Sequence, residues 1–161
     1  MTGIRLDELD THLLDLLQQD ASRTLHDLGE AVGLSPSAVQ RRIARYRKAG
    51  LITRQVAVLD PEQAGPAVLS TILVTLAVES PEHHRAFSER MRDSPYVQQC
   101  YAVTGRWDYV VMLTARSLRH SKELGDRLFK SDENIKRYET LVVLDAVKAG
   151  LTIPLPLPTG P

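Results

Sequence analysis

Leu6, Leu9, Leu13 and Leu17 recur at steps of three and four residues, and Leu14 widens the stripe. That spacing predicts a helix with one face in a core. A polar break follows at 18–23, after which Thr24 stands where a helix cap belongs, ahead of Leu25, Leu28 and Val32. Gly33 closes this second helix. Ser35 caps a third, with Pro36 in its first turn, where a missing N–H costs nothing. Val39, Ile43 and Tyr46 share one side of the third helix, which ends at Gly50. Gly29 lies inside the second helix, where glycine costs about 1 kcal/mol relative to alanine. A close crossing of two helices joined by the short LSPS connection accounts for it, and predicts a helix-turn-helix.

Beyond Gly50 the pattern changes. Residues 51–59 read as extended, and Asp60-Pro61 with Gly65-Pro66 reads as a linker. Val68, Ile72, Val74, Leu76 and Val78 then alternate along a strand whose other face mixes Leu and Thr. Ser80-Pro81-Glu82 opens a helix carrying Phe87 and Met91 inward. Residues 96–104 and 108–115 are strands about a turn containing Gly105; Ser117 caps a helix with Leu124 and Leu128, and 137–147 is a last strand. The order βαββαβ is the split ferredoxin-like motif. The expected fold is α+β: an N-terminal winged helix-turn-helix domain (1–52), an extended linker (53–66), a ferredoxin-like oligomerisation domain (67–150) and a proline-rich tail (151–161), extended or disordered after a short strand near 151–155. Two helices cover one sheet face, yet Val110 and Met112, like Val111 and Leu113, make both faces of the third strand apolar. The last strand repeats this with Leu141 to Leu144. A second copy of the chain is the economical cover, so an even-numbered homo-oligomer is expected.

Lys plus Arg equals Asp plus Glu at 20 each, so bulk charge selects no partner, but its distribution does. Between 36 and 54 the charged residues are Arg41, Arg42, Arg45, Arg47, Lys48 and Arg54, with no acid among them. A basic stretch in an otherwise balanced chain predicts a surface for duplex DNA. The lone Cys100 excludes an internal disulfide and a cysteine metal cluster, and its apolar strand makes it an inert thiol. No segment resembles a signal peptide, and apolar runs such as 110–113 are too short to cross a bilayer. A cytoplasmic protein without a membrane partner is expected.

With Val39, Ile43 and Tyr46 inward, Ser37, Gln40, Arg41, Ala44 and Lys48 point outward and Arg45 flanks them. The first half of a recognition helix meets base edges, which nominates Ser37, Gln40 and Arg41 as base readers. Ser35, Arg42, Arg45, Lys48 and Arg54 suit phosphates, although Arg42, beside the buried Ile43, is open to a second role anchoring the fold. His83 and His84 point about 100° apart on a helix and do not chelate together. His12, His26 and His120 stand alone in sequence. No catalytic triad, carboxylate pair, phosphate loop or metal site is visible, and no cofactor is implied.

The turn Thr104-Gly105-Arg106-Trp107-Asp108 has two readings. It is a plain hairpin turn, or its free backbone N–H groups bind a carboxylate while Asp108 takes an ammonium group, with Tyr101, Trp107 and Thr140 lining the side-chain end. The stretch LDELDTHLLDLLQQDASRTLHDLGEAVGLSPSAVQRRIARYRKAGLI and the pattern V-x-x-C-x-x-V-T-G-x-x-D-Y at 97–109 bear on the choice. The first resembles the DNA-binding domain, and the second the ligand-responsive domain, of the leucine-responsive regulatory protein/AsnC (feast/famine) family of transcription regulators. The resemblance spans about residues 6–154. It implies a transcription regulator rather than an enzyme, a homodimer assembling into tetramers or octamers, and a free amino acid bound between dimers, which favours the ligand reading of the turn. Arg106 and Trp107 fill the variable positions of G-x-x-D, and the bulky Trp107 points to a small or aromatic ligand. The alternative on this architecture is a siroheme decarboxylase-like enzyme. Such an enzyme needs no basic recognition helix and would draw on Arg106 and Arg116 for charge, with no histidine near the turn.

Overall fold

The computed structural model describes residues 4–65 and 67–155. Pro66 of the linker and residues 156–161 of the tail lie outside them. Two compact units result, one built from the chain up to Val58 together with a stretch beginning at Lys148, the other from Leu59–Val147.

The first unit holds α1 (Glu8–Gln19), α2 (Leu25–Val32) and α3 (Pro36–Lys48). Each start is capped from the sequence itself. Asp7 and Thr24 form reciprocal capping boxes with Asp10 and Asp27, and Ser35 accepts the Ala38 N–H. Gly33 closes α2 in the left-handed conformation. Gly29 is needed for space, since a Cβ there would stand 2.4 Å from the Leu34 carbonyl oxygen. Leu13, Leu14, Leu28, Val32, Val39, Ile43 and Tyr46 form the core. Leu9 is 37% exposed, contrary to the expected stripe, because Asp10 takes the inward position beside it. No strand forms among the described residues of this unit, so 53–60 is extended without the β-ribbon of a wing.

The described part of the tail, 151–155, is tied to the helical unit. The Gln18 amide donates to the Ile153 carbonyl at 3.1 Å and accepts its N–H at 2.9 Å, and Leu155 packs on the helical core. No strand forms at 151–155.

The second unit begins with a four-residue helix, α4 (Pro61–Ala64), inside the expected linker, followed by β1 (Val68–Leu76), α5 (Pro81–Asp93), β2 (Val97–Ala102), β3 (Tyr109–Ala115), α6 (Leu118–Gly125) and β4 (Ile135–Val142). The sheet is antiparallel in the order β2-β3-β1-β4, as βαββαβ requires. Past α6 the chain makes a π-helical turn, Asp126–Lys130, that buries Leu128 and Phe129 together. Ile72, Val74, Leu76, Tyr109, Val111 and Leu113 face these helices and are buried. Val78 lies beyond β1 and is exposed, and β4 stops short of Leu144. The opposite sheet face carries Leu69, Leu73, Val110 and Met112 half-buried, with Tyr101 and Leu141 exposed.

Candidate functional site

α3 has one face in the core and one face outward. Ser37, Gln40, Arg41, Ala44 and Lys48 are exposed, while Val39, Ile43 and Tyr46 hold the other side in the core. The side chains of Gln40, Arg41 and Lys48 make no hydrogen bond or ion pair among the described residues, and neither does that of Arg54 in the extended segment beyond. Ser37 Oγ lies 3.1 Å from Ser35 Oγ, which also caps the helix. Arg47 reaches Gln55 at 2.6 Å.

Arg42 departs from the expectation of a phosphate contact. Its side chain is 20% exposed, and one guanidinium nitrogen bonds both Asp7 carboxylate oxygens, at 3.0 and 2.9 Å, and also Asp10. Arg45 is shared, bonding Asp10 and lying over the Tyr46 ring while staying 46% exposed. The Tyr46 hydroxyl donates to Asp10 at 2.6 Å. Burial pushes the Asp10 carboxyl up, but hydrogen bonds from Tyr46, the Asp7 N–H, Arg42 and Arg45 outweigh it and hold the group at about 2. Burial and the Asp10 charge both push the Tyr46 phenol up. The acid-free run at 36–54 is therefore part-neutralised by Asp10 of α1 and by Asp7, which caps that helix, and this leaves Arg41 and Lys48 as the uncommitted cations on the outward face among the described residues.

In the second unit, Gly105 has φ 119°, and an added Cβ would meet nothing within 4 Å. Backbone conformation, not crowding, selects glycine there. The N–H groups of Thr104, Gly105, Arg106 and Trp107 make no hydrogen bond among the described residues. Asp108 is a structural closure. Its carboxylate accepts the Leu76 N–H at 2.7 Å, its N–H donates to Val74 at 2.9 Å and its carbonyl accepts from Val103 at 2.9 Å. Trp107 is half-buried against Arg137 of β4.

Tyr101 and Thr140 do not converge on this turn within one chain. Tyr101 pairs with Val110 on the open sheet face, whereas Thr140 pairs with Ile72 on the helix side of the opposite edge strand. Thr140 instead lines a shallow depression of about 200 Å³ with Leu118, Ser121, Lys122, Gly125, Tyr138 and Val142. The adjacent histidines diverge, His83 to Ser80 at 2.9 Å and His84 to the Tyr109 hydroxyl at 2.6 Å. Cys100 packs on the core, and burial pushes its thiol up. Among the described residues no cluster of His, Cys, Asp or Glu is suited to a metal ion, and no helix is long and apolar enough to cross a membrane.

This pairing of units has known counterparts. Residues 6–47 match the AsnC-type helix-turn-helix domain, and residues 70–153 match the Lrp/AsnC ligand binding domain. The chain belongs to the Lrp/AsnC family of transcriptional regulators. It is 33% identical over 153 residues to an uncharacterised HTH-type transcriptional regulator of Sinorhizobium fredii, covering 95% of this chain and 90% of that one. It is 31% identical over 155 residues to the glutamate uptake regulatory protein of Zymomonas mobilis, covering 94% and 92%. Among solved structures, a transcriptional regulator from Neisseria meningitidis in complex with L-Met superposes with a TM-score of 0.86 at 26% identity, covering 92% of this chain and 96% of that one. Each of these relatives is a regulator by name, and the siroheme decarboxylase alternative has no counterpart among the three. The chain is accordingly a DNA-binding transcriptional regulator of α+β fold.

Proposed function

We propose that this Lrp/AsnC regulator reads duplex DNA through the outward face of α3 and answers to a free amino acid at the β2–β3 turn. Ser37, Gln40 and Arg41 take the base edges, Gln40 suited to adenine and Arg41 to guanine. Lys48, Arg54, Ser35 and the exposed part of Arg45 take phosphates. The observation that carries the reading is that the side chains of Gln40, Arg41 and Lys48 line one exposed face with no partner among the described residues.

The working unit is an even-numbered homo-oligomer acting in the cytoplasm. The open apolar sheet face supports self-assembly, and paired α3 helices would meet half-sites about 34 Å apart or a multiple of it. The effector reading draws on the unpartnered amides at 104–107 and on the relative solved with L-Met. Two experiments test the proposal. Selection from random duplexes should enrich one motif, and Arg41→Ala should relax its base preference by about 1–3 kcal/mol while Lys48→Ala weakens all sequences alike. A thermal-shift screen of the twenty amino acids should raise the midpoint for at least one, because a ligand of the native state stabilises it. Failure to enrich any motif, or an Arg41→Ala variant of unchanged preference, refutes the base-reading assignment.

A further inference from the structure

Two guanidinium groups share one indole at the β2–β3 turn. The guanidinium carbon of Arg137 lies 4.2 Å from the Trp107 ring centroid, and that of Arg106 lies 5.6 Å from it. Arg106 comes from the turn, but Arg137 stands on β4 opposite Thr75, so the indole links the turn to a strand beyond β1. Ring faces attract cations, yet two like charges held on one ring repel each other. Neither guanidinium makes an ion pair or hydrogen bond among the described residues. The carboxylates two residues along from each do not answer them. Asp108 is bonded to the Leu76 N–H, and Glu139, two residues along β4 on the same face as Arg137, pairs with neither arginine. Beside the cluster, the Thr75 hydroxyl is buried without a hydrogen-bond partner among the described residues.

We infer that Arg106, Trp107 and Arg137 form the specificity element of the effector site, and that it takes an effector with an anionic side chain, namely an acidic amino acid. This rests on the proposed reading of the turn as the effector site. The unpartnered amides at 104–107 receive the α-carboxylate, as an exposed run of backbone N–H groups does for anions. The second carboxylate meets a planar guanidinium that the indole already orients, the geometry for a bidentate pair. Its charge relieves the repulsion between the two arginines, which a neutral side chain cannot do. An aromatic effector is disfavoured, because Arg137 already occupies the ring on which it would stack.

The test is calorimetry on the full chain with L-glutamate, L-aspartate, L-glutamine, L-asparagine, L-leucine and glutarate. L-Glutamate or L-aspartate is expected to bind at least about tenfold tighter than its amide, the scale of one charge-assisted hydrogen bond. Arg137→Gln should erase that preference and Arg137→Lys should restore only part of it, with the unfolding midpoints of both variants confirming a native fold. If L-glutamine or L-leucine binds as well as L-glutamate, or if Arg137→Gln keeps the preference, this inference is overturned while the effector site stands. If glutarate binds and loses affinity in Arg137→Gln but no amino acid binds, the anion site stands and the amino-acid reading falls. Absence of binding by every probe overturns both.

Discussion

Tyr46, buried on the inner side of the recognition helix, donates its hydroxyl hydrogen to the Asp10 carboxylate of α1 at 2.6 Å. The same carboxylate bonds Arg42 and Arg45, so one buried charge ties α1 to three residues that lie close together on α3. Asp10→Ala leaves the Tyr46 hydroxyl without its acceptor and removes one of the two carboxylates that hold Arg42. A loss of about 3 kcal/mol in unfolding free energy is expected, read by urea titration. A loss below about 1 kcal/mol would show that the network contributes little.

The same carboxyl makes stability depend on acid. Its pKa in the fold, about 2, lies below the unfolded value. The stabilisation is therefore complete above the unfolded pKa and is lost as pH falls from about 4 through the folded value. The contribution is about 2 kcal/mol by that shift. Urea midpoints measured from pH 6 down to pH 2 should fall less steeply in Asp10→Asn than in the wild type. Parallel curves would assign the acid sensitivity to other carboxylates.

Gly29→Ala places a methyl group against the Leu34 carbonyl, 2.4 Å away, inside the helix-turn-helix connection. Helix propensity alone would make alanine stabilising there. The clash is with backbone, so the expected result is a loss of about 2 kcal/mol, measured by thermal or urea unfolding. A stabilised variant would mean that the α2–α3 crossing can widen without penalty.

The two sheet faces should respond differently to charge. Val111 is fully buried against the helices, so Val111→Asp is expected to unfold the second unit. Val110 is half-buried on the open face, and Val110→Asp should leave a folded protein that light scattering finds at monomer mass. If the wild type is itself monomeric at micromolar concentration, the assembly proposal is wrong.

Much of this was legible because it is local. The caps at Thr24 and Ser35, the left-handed Gly33 and the inward trio of α3 follow from neighbours within one turn, and the structure has them as read. The βαββαβ order followed from alternation along single strands. What escaped is non-local. Asp10 breaks the apolar stripe that led Leu9 to be placed inside, and its partners lie 32 to 36 residues away. The Asp7–Asp10 capping box was the available signal, two carboxylates at a helix start in a chain whose third helix is rich in arginine. Likewise Gln18 and Ile153 are 135 residues apart, so the composition of the tail gave no sign of the contact at its start. Thr140 and Tyr101 were grouped without strand order, which puts them on opposite edges and opposite faces.

The most direct measurement is the salt dependence of binding to the selected duplex, followed by fluorescence anisotropy for the wild type, for Arg41→Ala/Lys48→Ala and for Arg42→Gln. Each lost phosphate contact reduces the slope of log affinity against log salt by about one unit. The double variant should therefore lose affinity and flatten that slope. Arg42→Gln should keep the wild-type slope, because Arg42 is held by Asp7 and Asp10, and should lose stability instead. Unchanged affinity and slope in the double variant, or a flattened slope in Arg42→Gln alone, would contradict the assignment of the exposed face of α3 as the DNA-reading surface.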